Sequence, residues 1–439
     1  MPRTDLPPND IRITTLPNGI RIVTDTVRFF QSVALEIWVG VGSRFETPAQ
    51  SGYSHLLEHM VFKGTPTRAS GQIDKQMAAV GGRIGAATDA SRTAYYTKVL
   101  KSDLPMALDI MSDMIQHASL LPDELEKEKG AILEEINGDM DSAACLSAQL
   151  FESCAYPNQP LGNPAIGSAE SVRSVTARDL HQYMQTHYTG PQIIISAAGN
   201  VSHDAFVAKC ADLFRDCPAK PHDKLAPAKY AGGDVRQNNN LKQLRLRLGF
   251  PAPPCTDDDY CAAALLSQIL REGLFDEIRE KRGLFYSISA AVSARPDTNM
   301  LRVSTNAGAE NIKELMPVLC DEIARMQGSI TEAEIALRKR QMGTGLLMGQ
   351  ESVANRANEL AGDMLTHGRV IPIAERLEKL EAVTAADLAR VARRIFSGKP
   401  TLAAFGPIQH LMEYDELCRR LNTKKELNPA LTRRGGLSR

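Results

Sequence analysis

Tyr53-Ser54-His55-Leu56-Leu57-Glu58-His59-Met60-Val61-Phe62 holds three polar residues in an apolar frame. The pattern reads as a buried or half-buried helix. In a helix, His55 and His59 are four apart and share a face. Two imidazoles so placed can grip one zinc ion. Glu58, three after His55 and one before His59, leans toward the same point. A carboxylate there can take a proton from a zinc-bound water. The five letters His-x-x-Glu-His also occur by chance, and a single histidine on an apolar helix face is usually a satisfied core residue. A third ligand decides between the two readings.

A catalytic zinc takes three protein ligands and keeps one position open. The acidic stretch Asp123 to Ile136 is helix-like, with Leu125, Ile132, Leu133 and Ile136 as its apolar stripe. Glu128 and Glu135 are seven apart and fall on one side, two turns from each other. Glu135 follows His59 by 76 positions. Glu134 is its rival as a ligand, and by itself the stretch also fits a solvated charged helix.

Together these segments resemble a known family. Tyr53 to Thr65 (YSHLLEHMVFKGT) and Leu125 to Ile136 (LEKEKGAILEEI) are similar to the M16 zinc peptidases, which include the mitochondrial processing peptidase, pitrilysin and insulin-degrading enzyme. His-x-x-Glu-His is the inverted order of His-Glu-x-x-His. The resemblance implies that His55, His59 and Glu135 bind one zinc ion per chain and that Glu58 is the general base. It places Glu128 near the metal, and family spacing favours Glu135 over Glu134. Leu274 to Ser287 (LFDEIREKRGLFYS) looks like the family segment whose arginine and tyrosine reach the substrate across a chamber. By spacing these are Arg279 and Tyr286, with Arg282 the substitute for Arg279. One departure stands out. The family usually has Asn-Ala-x-Thr on the strand that pairs with bound peptide, and here the stretch is Gly85-Ala86-Ala87-Thr88. Backbone pairing near Gly85 and Ala86 survives the change, but the Asn contact is missing and Gly85 loosens the strand.

The implied activity is a zinc-dependent endopeptidase acting on peptides or unfolded segments. The alternative is a non-catalytic or partner-dependent subunit of a heteromeric processing peptidase. The implied assembly is a homodimer or a heterodimer with a paralogue.

Composition bounds the remaining classes. The chain has 439 residues, 43% apolar and 23% charged, with net charge −1. That balance is ordinary for a globular protein, and it carries no electrostatic footprint for nucleic acid. No apolar run approaches the roughly 18 residues of a membrane span. Met1 to Pro8 has neither an apolar signal core nor an Arg/Ser-rich presequence pattern, so the expected location is the cytoplasm. A mature mitochondrial matrix form with its presequence removed is the other option. Eight scattered cysteines without Cys-x-x-Cys read as free thiols in a reducing compartment.

Internal duplication gives the fold class. Val175-Thr176-Ala177-Arg178-Asp179-Leu180 recurs as Val383-Thr384-Ala385-Ala386-Asp387-Leu388, an offset of 208. Tyr188 and Gly190 then align with Phe396 and Gly398, and a strand follows each copy. The expected fold is α+β: two homologous halves, each a mostly antiparallel sheet covered by helices, enclosing a substrate chamber. The expected boundaries are 1–215 for the metal-binding half, 216–239 for a Pro- and Lys-rich linker and 240–439 for the second half. There the counterpart of the motif helix, Cys261 to Leu270, has no histidine or acid. The basic tail from Asn422 to Arg439 is expected to be mobile.

Overall fold

The computed structural model describes residues 10–221, 225–283 and 287–423. Tyr286 and the tail beyond residue 423 lie outside the described residues. Strands β1 (Asp10–Thr15) and β2 (Arg21–Thr26) form a hairpin about Pro17-Asn18-Gly19, as that turn sequence predicts. They are followed by β3 (Ser32–Val39), the motif helix α1 (Tyr53–Met60) and α2 (Gln72–Ala79). Next come β4 (Ile84–Thr88), β5 (Thr93–Leu100), α3 (Leu104–His117), the acidic helix α4 (Pro122–Asp141) and α5 (Ala143–Ala155). Helices α6 (Ala169–Ser174) and α7 (Ala177–His187), β6 (Ile193–Gly199) and α8 (His203–Leu213) complete the first copy.

The second copy runs β7 (Gly233–Asn238), β8 (Gln243–Ala252), α9 (Tyr260–Leu274), β9 (Ser287–Val292) and β10 (Asn299–Gly308). It continues through α10 (Ile312–Arg325), α11 (Glu332–Gly349), α12 (Val353–Thr366), α13 (Ile373–Ala382), α14 (Ala385–Phe396), β11 (Thr401–Gly406) and α15 (Tyr414–Thr423).

The strand order is β1-β2-β6-β3-β5-β4 in the first sheet and β7-β11-β8-β10-β9 in the second. Set β1 aside and the two orders coincide. Each sheet has one parallel pair, β2 with β6 and β7 with β11, and is otherwise antiparallel. The expected α+β duplication is therefore present. The recurring six letters have a physical reason. Thr176 and Asp179 cap each other's backbone N–H at the start of α7, and Thr384 and Asp387 do the same at α14. All eight cysteines are free thiols. Among the described residues no helix is long and apolar enough to cross a membrane.

The compact units are not contiguous in sequence. The first takes residues 1–139, 159–226 and 345–372, and the second takes 140–158, 227–344 and 373–439. Two helices are exchanged relative to the expected halves: α12 packs in the first unit, and α5 in the second. In the first unit, α12 covers one sheet face with Leu360, Ala361 and Met364 against Val23, Trp38, Ala94 and Ile194. Its Arg356 is 2.5 Å from buried Asp25, and Ser196 donates to the Ala357 carbonyl at 2.9 Å. In the second unit, Glu152 of α5 accepts from Arg302 of β10 at 2.9 Å, and the Ala144 carbonyl accepts from Arg247 of β8 at 3.2 Å. The opposite face of the first sheet carries the main core, where Leu35, Ile37, Leu56, Leu57, Met60 and Ile132 are buried. That core seats both α1 and α4.

Candidate metal centre in the first unit

Helix α1 is only eight residues long, and its N-cap Gly52 supplies no side chain. Gly52 has φ +90°, and a Cβ there would lie 2.6 Å from the Ile166 carbonyl oxygen. Only glycine fits that approach. The capping comes from a distance instead. Buried Glu46 accepts from the Gly52 N–H and the Ser54 N–H, each at 2.7 Å. Burial pushes the Glu46 carboxyl up to about 7 despite these bonds. Behind it, the Ser54 and Tyr183 hydroxyls share a hydrogen bond of 2.8 Å. Leu56, Leu57 and Met60 face the core, so the opposite face of α1 presents its polar residues.

His55 and His59 stand with ring centroids 4.7 Å apart. His55 Nε2 is 3.8 Å from Glu135 Oε2, and His59 Nε2 is 3.8 Å from Glu135 Oε1. The three side chains offer ligand atoms within 4.8 Å of one another. Glu134 is not part of that group. Burial, then the neighbouring His59, lowers the His55 imidazole to about 4, so at neutral pH it holds a free lone pair. His59 Nδ1 lies 3.2 Å from Glu128 Oε2, whose other oxygen pairs with Lys63 at 2.6 Å. A carboxylate on the outer nitrogen of an imidazole fixes its orientation and raises its basicity as a ligand. Two imidazole nitrogens and one carboxylate are a donor set that fits zinc.

Glu58 lies beside this group without joining it. Thr88, the last residue of β4, donates its hydroxyl to Glu58 Oε2 at 2.5 Å. Burial pushes the Glu58 carboxyl up and outweighs that hydrogen bond. Gly85 and Ala86 lie on β4, which ends its sheet and, among the described residues, is paired only with β5. In the second unit, Arg279 is exposed and its guanidinium lies 5.0 Å from the centre of the Phe275 ring, in a π-helical turn, Phe275–Glu280, that follows α9. Such turns often mark functional sites. Arg282 instead pairs with Glu314 at 3.0 Å.

Three contributors escaped the sequence reading: Glu46, Lys63 and the hydroxyl of Thr88. Glu46 and Thr88 act across loops and strands, where no fixed spacing announces them. Lys63 follows His59 by four, a spacing visible in sequence, but its partner Glu128 lies on another helix.

Two imidazoles and a carboxylate converge next to a further, half-buried carboxylate, a group that could hold a metal ion. The insulinase (peptidase family M16) model matches residues 21–169, and the M16 inactive-domain model matches residues 174–342. An uncharacterized zinc protease of Rickettsia felis is 34% identical over 91% of this chain and 98% of its own length. A probable mitochondrial-processing peptidase subunit beta of Arabidopsis thaliana is 29% identical over 94% of this chain and 81% of its own length. A protease of Helicobacter pylori, at 21% identity, shares the fold with a TM-score of 0.83, over 91% of this chain and all of that one. The chain belongs to peptidase family M16: it is a zinc peptidase that acts on peptide substrates.

Proposed function

We propose that the chain is an endopeptidase for peptides or unfolded segments, with His55, His59 and Glu135 as the zinc ligands and Glu58 as the general base. The observation that carries this is the convergence of both imidazole Nε2 atoms on the two Glu135 oxygens, 3.8 Å each. Zinc held by these three residues would supply a Lewis acid for the scissile carbonyl and the attacking water. Glu58 takes the proton from that water and passes it to the leaving amine. Burial raises the Glu58 carboxyl above the usual carboxylate range. Thr88 orients Glu58, while Lys63 and Glu128 hold the His59 ring. The peptide adds as a strand to the free edge of β4 near Gly85 and Ala86, which leads toward Glu58 through Thr88. Arg279 is assigned to a substrate backbone carbonyl and Tyr286 to the developing oxyanion.

A second reading is a subunit that cleaves only with a partner chain. It is supported by the name of the Arabidopsis relative, a subunit beta. The deciding experiment measures zinc content and cleavage of a quenched peptide library by the purified chain beside Glu58→Gln. Zinc near one per chain in both, with cleavage lost only in the variant, is the expected result. Zinc without cleavage in the wild type favours the partner-dependent reading. Wild-type rates in Glu58→Gln overturn the mechanism.

A further inference from the structure

β4 carries a gap filled by another strand. Along it, Ile84 and Ala86 pack on the core and Thr88 reaches Glu58, so Gly85 and Ala87 present the other face. Gly85 is registered opposite Tyr96 of β5. A Cβ on Gly85 would stand 2.5, 2.6 and 2.8 Å from Tyr96 Cε2, Cζ and Oη. The ring therefore crosses from β5 and lies over Gly85, with its phenol end toward the free edge. Tyr96 is still 44% exposed. A strand added to β4 would lie about 4.8 Å further out, which puts one of its side chains next to this ring.

The surroundings select the kind of side chain. Next along the same face is exposed Ala87, small enough to leave room beside the ring, opposite Ala94, which α12 covers. Lys98 is exposed there, and Arg92, with its guanidinium 3.5 Å from the centre of the Trp38 ring, pairs with exposed Asp89 at 3.2 Å. A second acid, Glu36, is buried and accepts from the Trp38 indole N–H at 2.7 Å. An aromatic or large aliphatic side chain finds an exposed ring to pack on.

We propose that Tyr96, lying across Gly85, is a specificity-determining residue that selects a large apolar side chain, best an aromatic one, at the substrate position facing it. This rests on the reading that substrate pairs with the edge of β4. Any residue at 85 with a side chain displaces the ring, so the glycine and the tyrosine act as one device.

The test uses peptides that place Phe, Leu, Lys, Asp or Gly at each position in turn. Cleavage by the wild type and binding to Glu58→Gln are both measured, each with and without Tyr96→Ala or Gly85→Ala. The expected result is one position at which Phe exceeds Gly by about 3–10-fold, the scale of a packed aromatic pair. Tyr96→Ala brings that ratio near one and Tyr96→Phe keeps it. Gly85→Ala, by displacing the ring, also brings it near one, and adding Tyr96→Ala to Gly85→Ala changes it no further. Zinc content stays the same throughout. Cleavage with a ratio indifferent to Tyr96 overturns this inference and leaves the peptidase reading standing. Tyr96-dependent binding without cleavage supports the inference and sinks the self-sufficient peptidase. Peptides that neither bind nor are cut overturn both.

Discussion

Glu128 shows how a residue outside the donor set can govern it. One of its oxygens is 2.6 Å from Lys63 Nζ and the other 3.2 Å from His59 Nδ1. The lysine holds the carboxylate, the carboxylate holds the ring, and the ring's Nε2 is left facing Glu135. Removing such a partner typically weakens metal affinity by about 10–100-fold. Glu128→Gln is expected to do so in a chelator competition, with the folded helix content kept. An unchanged zinc affinity would mean that Glu128 serves only to pair Lys63. His59→Ala is expected to lose zinc and cleavage together, because it deletes a donor, whereas Glu58→Gln loses cleavage alone.

At the scale of the element, α1 is too short to stand by itself. Isolated helices below about 12–15 residues are marginal in water, and α1 has eight. Packing of Leu56, Leu57 and Met60 and the two bonds to Glu46 hold it. The Ser54 hydroxyl also bonds Glu46, and the Tyr53 and Tyr183 phenols stand near it. Burial raises the Glu46 carboxyl from 4.5 to about 7. The folded state therefore binds a proton that the unfolded chain has released between those values. The resulting stabilisation is present below about 4.5 and is lost as pH rises through about 7. From pH 4.5 to 8, wild type should lose roughly 3 kcal/mol relative to Glu46→Gln, from the size of the shift. Denaturant unfolding of both proteins at the two pH values measures this. A gap that does not change with pH removes the buried-carboxylate account of the cap.

For the whole molecule, the decisive feature is the exchange of α5 and α12. Without α12 the first sheet loses its cover over Trp38, Val23 and Ile194, and buried Asp25 loses Arg356. Three large apolar residues of α12, Val353, Leu360 and Met364, are buried. At about 1.5–3 kcal/mol each, they supply roughly 5–9 kcal/mol, which equals much of a domain's net stability. Residues 1–215 expressed alone are therefore expected to be insoluble or to unfold without cooperativity. Co-expressing 1–226 with 227–439 should restore a folded complex. A soluble 1–215 fragment with a cooperative transition would show that the exchanged helix is dispensable.

Local pattern fixed much of this protein in advance. The Pro-Asn-Gly hairpin, the strands, the motif helix and the duplicated capping boxes all rest on contacts between residues near in sequence, so periodicity and turn chemistry reveal them. His55, Glu58 and His59 are legible for the same reason, because one helix carries all three. Glu135 needed a family resemblance, since the rise of a second helix and its angle to the first do not appear in spacing. Only the tertiary structure decided which helix covers which sheet face, that Glu46 caps α1 from six residues before the N-cap Gly52, and that Tyr96 lies over Gly85. Those outcomes depend on packing between elements far apart in the chain, where shape and burial choose the partner and the letters along the sequence do not.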